Sequence, residues 1–455
     1  MTVKILKAEE PQKQQALLAF INETQIGTLF AENNIWRFEY TQAWAKSDQS
    51  FDLSPALPRL VDSKAGVIVD GSSDRPVQWY FDNLLPEEAM RTVLASQAEV
   101  ADSDAFGLLA YYGRESAGSL TLLPEGATPV AADMRPLSLK ELSARIKAMP
   151  KIPLNTNAPK HMSLAGAQHK LAVIYKDGAL FEPDGPTAST HILKPQHPEK
   201  DSYPSSVVNE YLTMRVARAV GLDVPQVHRL FCPEPVYLIE RFDRVYNSSG
   251  SVDRLHVIDA CQLLNIDRAF KYSAANVATL VKLVDKLQVP AAGRQWLYDW
   301  LVFNILIGNS DNHLKNISFM VNQEGISISP CYDLLCTTAY STRAVAPDTG
   351  TWPKTSVALK PNPEVKWFSD ITREVVIAAG ISLGLGRAAA TRRLDSLIRT
   401  VPIAVTKVSE EIIQENARLS EEVQLGLMYD VRMVGIIERL IVAKMTKQLQ
   451  EVLIP

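Results

Sequence analysis

The chain has 455 residues, of which 46% are hydrophobic and 22% charged, and its formal net charge is −4. That length exceeds one ordinary core and predicts two or three domains of a globular protein. The slightly acidic balance gives no support to whole-surface binding of nucleic acid or an anionic membrane.

The N-terminal "MTVKILKAEEPQKQQ" turns charged at once and lacks the continuous apolar core of a signal peptide. The longest apolar runs, such as "WLVFNILIG", fall short of the roughly 20 residues that span a bilayer. Four cysteines (Cys232, Cys261, Cys331, Cys336) form no CxxC pair. They read as structural thiols of a reducing cytoplasm rather than as a zinc site, with no membrane partner.

In chain order, "NNIWRFEYTQAW" alternates Trp36, Phe38 and Tyr40 with Arg37, Glu39 and Thr41, the pattern of a half-buried strand. Asn33-Asn34 marks a turn before it, and "AFINETQIGTLF" offers a partner strand. Another strand, "GSLTLL", closes at Leu123. "PEGATPVAADMRP" then lacks periodicity and reads as a linker. From about residue 137, β-rich runs ("LAVIY", "THILKP", "PVYLIERF") surround the helix "SSVVNEYLTMRVARAVGLDVP". Ser205 or Ser206 is its N-cap candidate and Gly221 its stop. Beyond residue 255 the pattern is mostly helical. Pro402 of "VPIAVTKVSEEIIQENARL" sits in a helix-start position, and "VRMVGIIERLIVAKMTKQL" is a packed amphipathic helix.

One stretch, "IGNSDNHLKNISFM", crowds polar groups between apolar segments. The helix "RQWLYDWLVFNILIG" ends near Gly308, which places Asp311 in a loop past a buried helix. "ISFMV", "NQEG" and "ISIS" then form a hairpin that returns the chain to Asp333. Asp311, Asn316 and Asp333 should therefore converge. A loop Asp, an Asn five residues on and a second Asp after a hairpin match phosphoryl transfer. There one Asp takes the proton of the attacking hydroxyl, while an Asn and an Asp hold Mg²⁺ on ATP through oxygen ligands. Lys194 fits the strand-borne lysine that binds phosphates, with Glu210 as its partner, and "IERF" occupies the place of a hinge between lobes. "SLAGAQHK" is a weak phosphate loop, with one glycine. Taken singly, each has a bland reading. "DNHLKN" is a solvated loop, Lys194 a snorkelling lysine, Glu210 an acid on a helix dipole and Ser163 a turn residue.

Taken in order, "VQWYFDNLLPE", "YYGRESAGSLTLL", "MSLAGAQHKLAV", "HILKP", "NEYLTMRVARAVGL", "IERFDR", "GNSDNHLKN" and "YDLL" resemble the HipA family of bacterial serine/threonine kinase toxins. The resemblance covers nearly the whole chain. It implies an α+β, protein-kinase-like two-lobed fold preceded by an N-terminal α/β subdomain. Residues 1–125 would form that subdomain, 126–136 a linker, 137–243 the small lobe and 244–455 the helical large lobe. Asp311 would be the catalytic base, with Asn316 and Asp333 as Mg²⁺ ligands. ATP would meet Ala165, Gly166, Ala167, Gln168, His169, Lys170 and Lys194. It would also meet Glu240, Arg241 and Phe242 at the adenine, and His313, Leu314, Lys315, Asn316, Tyr332 and Asp333. Ser163 matches the serine that family members autophosphorylate, and a phosphate there would add about −1.5 to −2 charge beside the ATP site. His169 departs from the family's usual Glu. The implied partners are a small DNA-binding, HipB-like antitoxin, operator DNA mainly through that antitoxin, and a protein substrate of translation, by analogy an aminoacyl-tRNA synthetase.

Two rivals stand beside this reading. Asp311, His313 and Asp333 are conceivable ligands of a hydrolytic transition metal. A catalytically silent ATP-binding corepressor would keep the fold and lose the transfer.

Overall fold

The alternating N-terminal segments form an antiparallel sheet in a computed structural model, which describes residues 15–127, 132–156, 158–160, 162, 166, 168–248 and 250–450. Strands β1 (Gln15–Ile21), β2 (Thr24–Glu32) and β3 (Ile35–Tyr40) are joined by two tight turns. The turns place Asn22, Asn33 and Asn34 in left-handed backbone, which asparagine tolerates because its short amide bonds locally. With β4 (Val67–Val69) and β5 (Leu120–Pro124) the order is β4-β3-β2-β1-β5. The inward faces of Trp36 and Phe38 meet Phe106 and Phe81, at ring separations of 5.4 and 5.5 Å. Those two rings come from helices α1 (Pro76–Asp82) and α3 (Ala105–Tyr112), which flank α2 (Glu88–Gln97).

The small lobe is a second antiparallel sheet. Its strands are β6 (Asp133–Pro136), β7 (Leu171–Lys176), β8 (Ala179–Asp184), β9 (His191–Pro195), β10 (Val227–Phe231) and β11 (Pro235–Glu240). Their order is β10-β11-β9-β7-β8-β6. The segment expected to be a linker thus contributes an edge strand, with Pro136 opposite Phe181 and Asp133 opposite Asp184. All four of its side chains are exposed. It is held by backbone pairing, and no apolar period marks it. Helix α4 (Leu139–Ala148) and helix α5 (Ser206–Ala219) pack on the lobe. Ser205 stands at the N-cap of α5 in left-handed backbone and makes no side-chain cap bond. Gln196 Oε1 accepts from the Val207 N–H instead.

The large lobe holds the sheet β12 (Val257–Asp259), β13 (Ser318–Asn322) and β14 (Gly325–Ile328). Its helices include α6 (Val277–Val284), α7 (Pro290–Leu306), α8 (Arg373–Ser382) and α9 (Arg387–Ala417). Pro402, expected to open a helix, lies inside the 31-residue α9. An interior proline costs a helix about 3 kcal/mol. The buried stripe Leu394, Leu397, Ile398, Val401, Val405, Val408 and Ile412 runs straight past it, and burial of that stripe outweighs the lost bond. The last amphipathic segment buries Met433, Val434, Ile437, Ile441, Val442 and Met445, as expected. Among the described residues no helix is long and apolar enough to cross a membrane.

The N-terminal subdomain is joined to the lobes through buried charge. Glu115, just past α3 and fully buried, accepts Lys160 at 2.7 Å, Arg244 at 2.9 Å, Arg254 at 3.0 Å and Arg241 at 3.2 Å. Burial alone would raise its pKa, but the four cations hold it well below the usual carboxylate range. Replacing Glu115 with Ala strands those buried cations. It is expected to destabilise the chain by about 3–5 kcal/mol, measured as a lower urea midpoint. A midpoint unchanged from the native chain would show that the cluster does not hold the two parts together.

Candidate active site

Helix α7 is buried on nearly every side, so the loop that follows it is fixed in place. Gly308 turns the chain at φ 67°, where a Cβ would collide with Thr338. Asn309 Oδ1 accepts the Asp311 N–H at 3.0 Å, and the Asp311 carbonyl accepts from the Asn316 amide at 3.0 Å and the His313 N–H at 2.9 Å. The backbone of Asp311 is therefore held from both sides. Its carboxylate accepts the Tyr272 hydroxyl at 2.6 Å.

The β13–β14 hairpin returns the chain as the sequence predicts, with Phe319 opposite Ile328. At its base Tyr332 donates to the Lys315 carbonyl at 2.8 Å and meets Ser318 Oγ at 2.7 Å. Asp333 follows at φ 56°. Left-handed backbone costs a non-glycine residue about 1–2 kcal/mol, and here it turns the carboxylate to Lys194. That lysine, buried on β9 opposite Tyr237, bonds Asp333 at 2.6 Å and Glu210 of α5 at 2.7 Å. Three elements from two lobes thus meet on one ammonium.

Lys194, Glu210, Asp311, Asn316 and Asp333 line one cavity of about 250 Å³. Gly166, Gln168, Lys170, Ile192, Ile239, Glu240, Arg241, Phe242, His313, Lys315 and Tyr332 line it too. Gly166 has φ 106°, and a Cβ there would come 2.7 Å from the Lys170 ammonium. The loop needs this glycine.

The charges divide unevenly. Burial would raise Asp333, but Lys194 and then Lys170 bring it down to about 2. Glu210 is pushed up to about 7 by burial, with Asp333 adding to the effect against Lys194. One cation cannot fully compensate two acids, and the acid facing the cavity keeps the charge: the Asp333 side chain is 32% exposed and that of Glu210 4%. Burial, and then the neighbouring Lys194, lower Lys170 to about 8. Burial raises Asp311 to about 6, opposed by the Tyr272 hydrogen bond and assisted by Asp333. A carboxylate tuned toward neutrality suits proton transfer.

Several expected site residues are used differently. Leu314 is fully buried in the core and is absent from the cavity wall. Lys315 reaches the wall, but its ammonium bonds Asn83 O at 2.6 Å, Asn83 Oδ1 at 2.9 Å and Asp259 at 2.9 Å. The Arg241 side chain joins Asp243 and Glu115. His169 faces a separate small cavity with Pro86 and Met90. The His313 backbone N–H bonds the Asp311 carbonyl, while among the described residues its buried Nδ1 meets no hydrogen-bond partner. Ser163, Ala165 and Ala167 lie outside the described residues. Among the described residues no three His, Cys, Asp or Glu side chains group to hold a metal ion. Asp311, His313 and Asp333 therefore do not form the hydrolytic site weighed from sequence. Tyr272 and Glu87 escaped the sequence reading, because neither sits in a spacing that chemistry demands.

Comparison with known proteins agrees with this geometry. The HipA-like C-terminal domain model matches residues 162–405, more than half of the chain, and the HipA N-terminal domain model matches 17–123. The chain belongs to the HipA family. Y4mE of Sinorhizobium fredii is 33% identical over 387 residues, covering 82% of this chain and 87% of that protein. The serine/threonine-protein kinase toxin HipA of Shewanella oneidensis is 30% identical over 349 residues, 72% of this chain and 76% of that one. The solved Shewanella oneidensis MR-1 toxin–antitoxin complex of HipA, HipB and operator DNA aligns with a TM-score of 0.75 at 26% identity. That alignment covers 96% of this chain and 100% of the matched chain. The fold is the family's kinase-like α+β fold, and the chain is a kinase.

For a HipA-family kinase the Lys194 junction has a direct test. Lys194→Met leaves Glu210 and Asp333 without their shared cation and removes a donor aimed into the cleft. The phosphate-transfer rate is expected to fall by about 10²–10³, measured with radiolabelled ATP. A loss under threefold would separate Lys194 from the chemistry.

Proposed function

We propose that this chain is the Mg²⁺- and ATP-dependent serine/threonine protein kinase of a toxin–antitoxin module. The observation that carries the proposal is the convergence of Lys194, Asp311, Asn316 and Asp333 on one cavity. The donor set fits the metal. Asp333 offers carboxylate oxygens, and Asn316, whose NH₂ is engaged by Asp311, offers its amide oxygen. Mg²⁺ is typically bound by one or two such ligands plus substrate phosphates, not by a full protein cage.

In this reading Asn316 and Asp333 would hold Mg²⁺, and Lys194, kept in place by Glu210, would bind phosphates. Gly166, Gln168 and Lys170, with Ala165 and Ala167, would cover them, while the His169 side chain faces the neighbouring small cavity. Ile192, Ile239 and Phe242 would enclose the adenine beside the backbone of Glu240 and Arg241. Mg·ATP, when bound, supplies a transferable phosphoryl group with its charge partly neutralised. Asp311 orients the acceptor hydroxyl and takes its proton. Ser163 would be phosphorylated by the chain itself, and the added charge beside the ATP site would silence it. The units would be the subdomain 1–125, a connection over 126–136, the small lobe 137–243 and the large lobe 244–455.

The likeness to a HipA solved with HipB and operator DNA supports a small DNA-binding antitoxin as partner, with DNA reached through it. A protein of translation, such as an aminoacyl-tRNA synthetase, is the proposed substrate. The test is phosphate transfer from radiolabelled ATP with Mg²⁺. Asp311→Asn should lose at least 10²-fold in rate and keep Mg·ATP binding, Asp333→Asn should lose that binding, and Ser163→Ala should remove self-labelling. Mg·ATP binding by the native chain with no transfer to itself or to a cellular protein would overturn the kinase reading and favour a silent corepressor.

A further inference from the structure

Resting on the reading of Asp311 as the base, we infer that Tyr272 is the positioning residue of that base, anchored from the N-terminal subdomain. The backbone of Asp311 is pinned by Asn309 and Asn316, yet backbone bonds do not fix the rotation of a carboxylate. Among the described residues, the Tyr272 hydroxyl is the only side-chain group bonded to that carboxylate, at 2.6 Å to Oδ1. With Oδ1 committed to the phenol, Oδ2 remains to receive a proton from an acceptor hydroxyl.

The phenol suits this task. Burial, and then the negative charge of Asp311, push its pKa upward, so it stays protonated and donates. Its ring is held on two sides. His313 meets it edge-on at 4.9 Å and 81°, and the Lys271 ammonium stands 5.0 Å from its centroid. Lys271 in turn is tied to Glu87 at 2.6 Å and Glu88 at 3.2 Å, which flank the start of α2. The chain of contact runs from the N-terminal subdomain through Lys271 and Tyr272 to Asp311. The residue as a whole is 42% exposed although the ring is covered by His313 and Lys271, so losing the hydroxyl alone leaves the core packing in place.

A different role would use the same contact: the phenol oxygen standing where an acceptor hydroxyl must arrive, as an internal blocker. The two roles predict opposite signs. The experiment compares the full chain with Tyr272→Phe, Tyr272→Ala and Asp311→Asn, using radiolabelled Mg·ATP with self-labelling and dephosphorylated casein as readouts. Positioning predicts that Tyr272→Phe loses about 10–100-fold in rate at saturating ATP, the scale of a misplaced reacting group. Half-saturating ATP and melting temperature should stay as in the native chain, and Tyr272→Ala should be no faster than Tyr272→Phe. A native rate in Tyr272→Phe would reduce the residue to packing and overturn the inference, and a rate increase would overturn it in favour of a blocker. A native rate in Asp311→Asn would instead remove the base on which the inference rests, an outcome distinct from the other two.

Discussion

A single buried ammonium is the constraint on which the rest of the site depends. Lys194 leaves the small-lobe sheet, Glu210 comes from the helix packed on it, and Asp333 arrives from the large lobe at the end of a hairpin. None of these charges is stable alone in so enclosed a place, since an unpaired buried ion costs several kcal/mol. Burying the three together sets the separation of the lobes, and with it the cavity between them. The strained backbone of Asp333 is tolerated because Tyr332, the residue before it, is tied to the Lys315 carbonyl and Lys194 holds the Asp333 carboxylate itself.

The N-terminal subdomain extends the same principle. Its acids neutralise cations of the lobes at two places, Glu115 among Lys160, Arg241, Arg244 and Arg254, and Glu87 beside Lys271 and Lys315. Lys315 belongs by sequence to the loop that carries Asp311, but its charge is spent on Asn83 and Asp259. The subdomain therefore takes part in holding the loop that carries Asp311.

What could be read from the sequence follows from range. Short-range patterns were legible: the alternation of Trp36, Phe38 and Tyr40, the hairpin from "ISFMV" to "ISIS", and the interval from Asp311 to Asn316. The hairpin even foretold a long-range fact, the return of Asp333, because strand pairing brings open ends together. Edge strand β6 was illegible because all its side chains face solvent, and Pro402 misled because a proline reads alike at a helix start and inside a helix whose buried stripe runs on. Leu314 and Lys315 sit within the right motif and point the wrong way, which spacing cannot report. Tyr272 and Glu87 act through partners 39 and 184 residues away, and no local pattern encodes such distances.

One small contact has a wide consequence. Pro86 and Gly166 form an isolated parallel bridge, so Gly166 of the cavity wall is paired, backbone to backbone, with the stretch that leads into Glu87. Add the cations that this stretch and Glu115 neutralise, and melting either family half would unpair buried charge in the other. Removing the first would strip Lys160 and Arg254 of Glu115 and Lys271 of Glu87 and Glu88, while Arg241 and Arg244 would keep Asp243 and Lys315 would keep Asp259. The chain should behave as one cooperative body, in which trimming the front is an injury to the engine rather than the loss of an accessory.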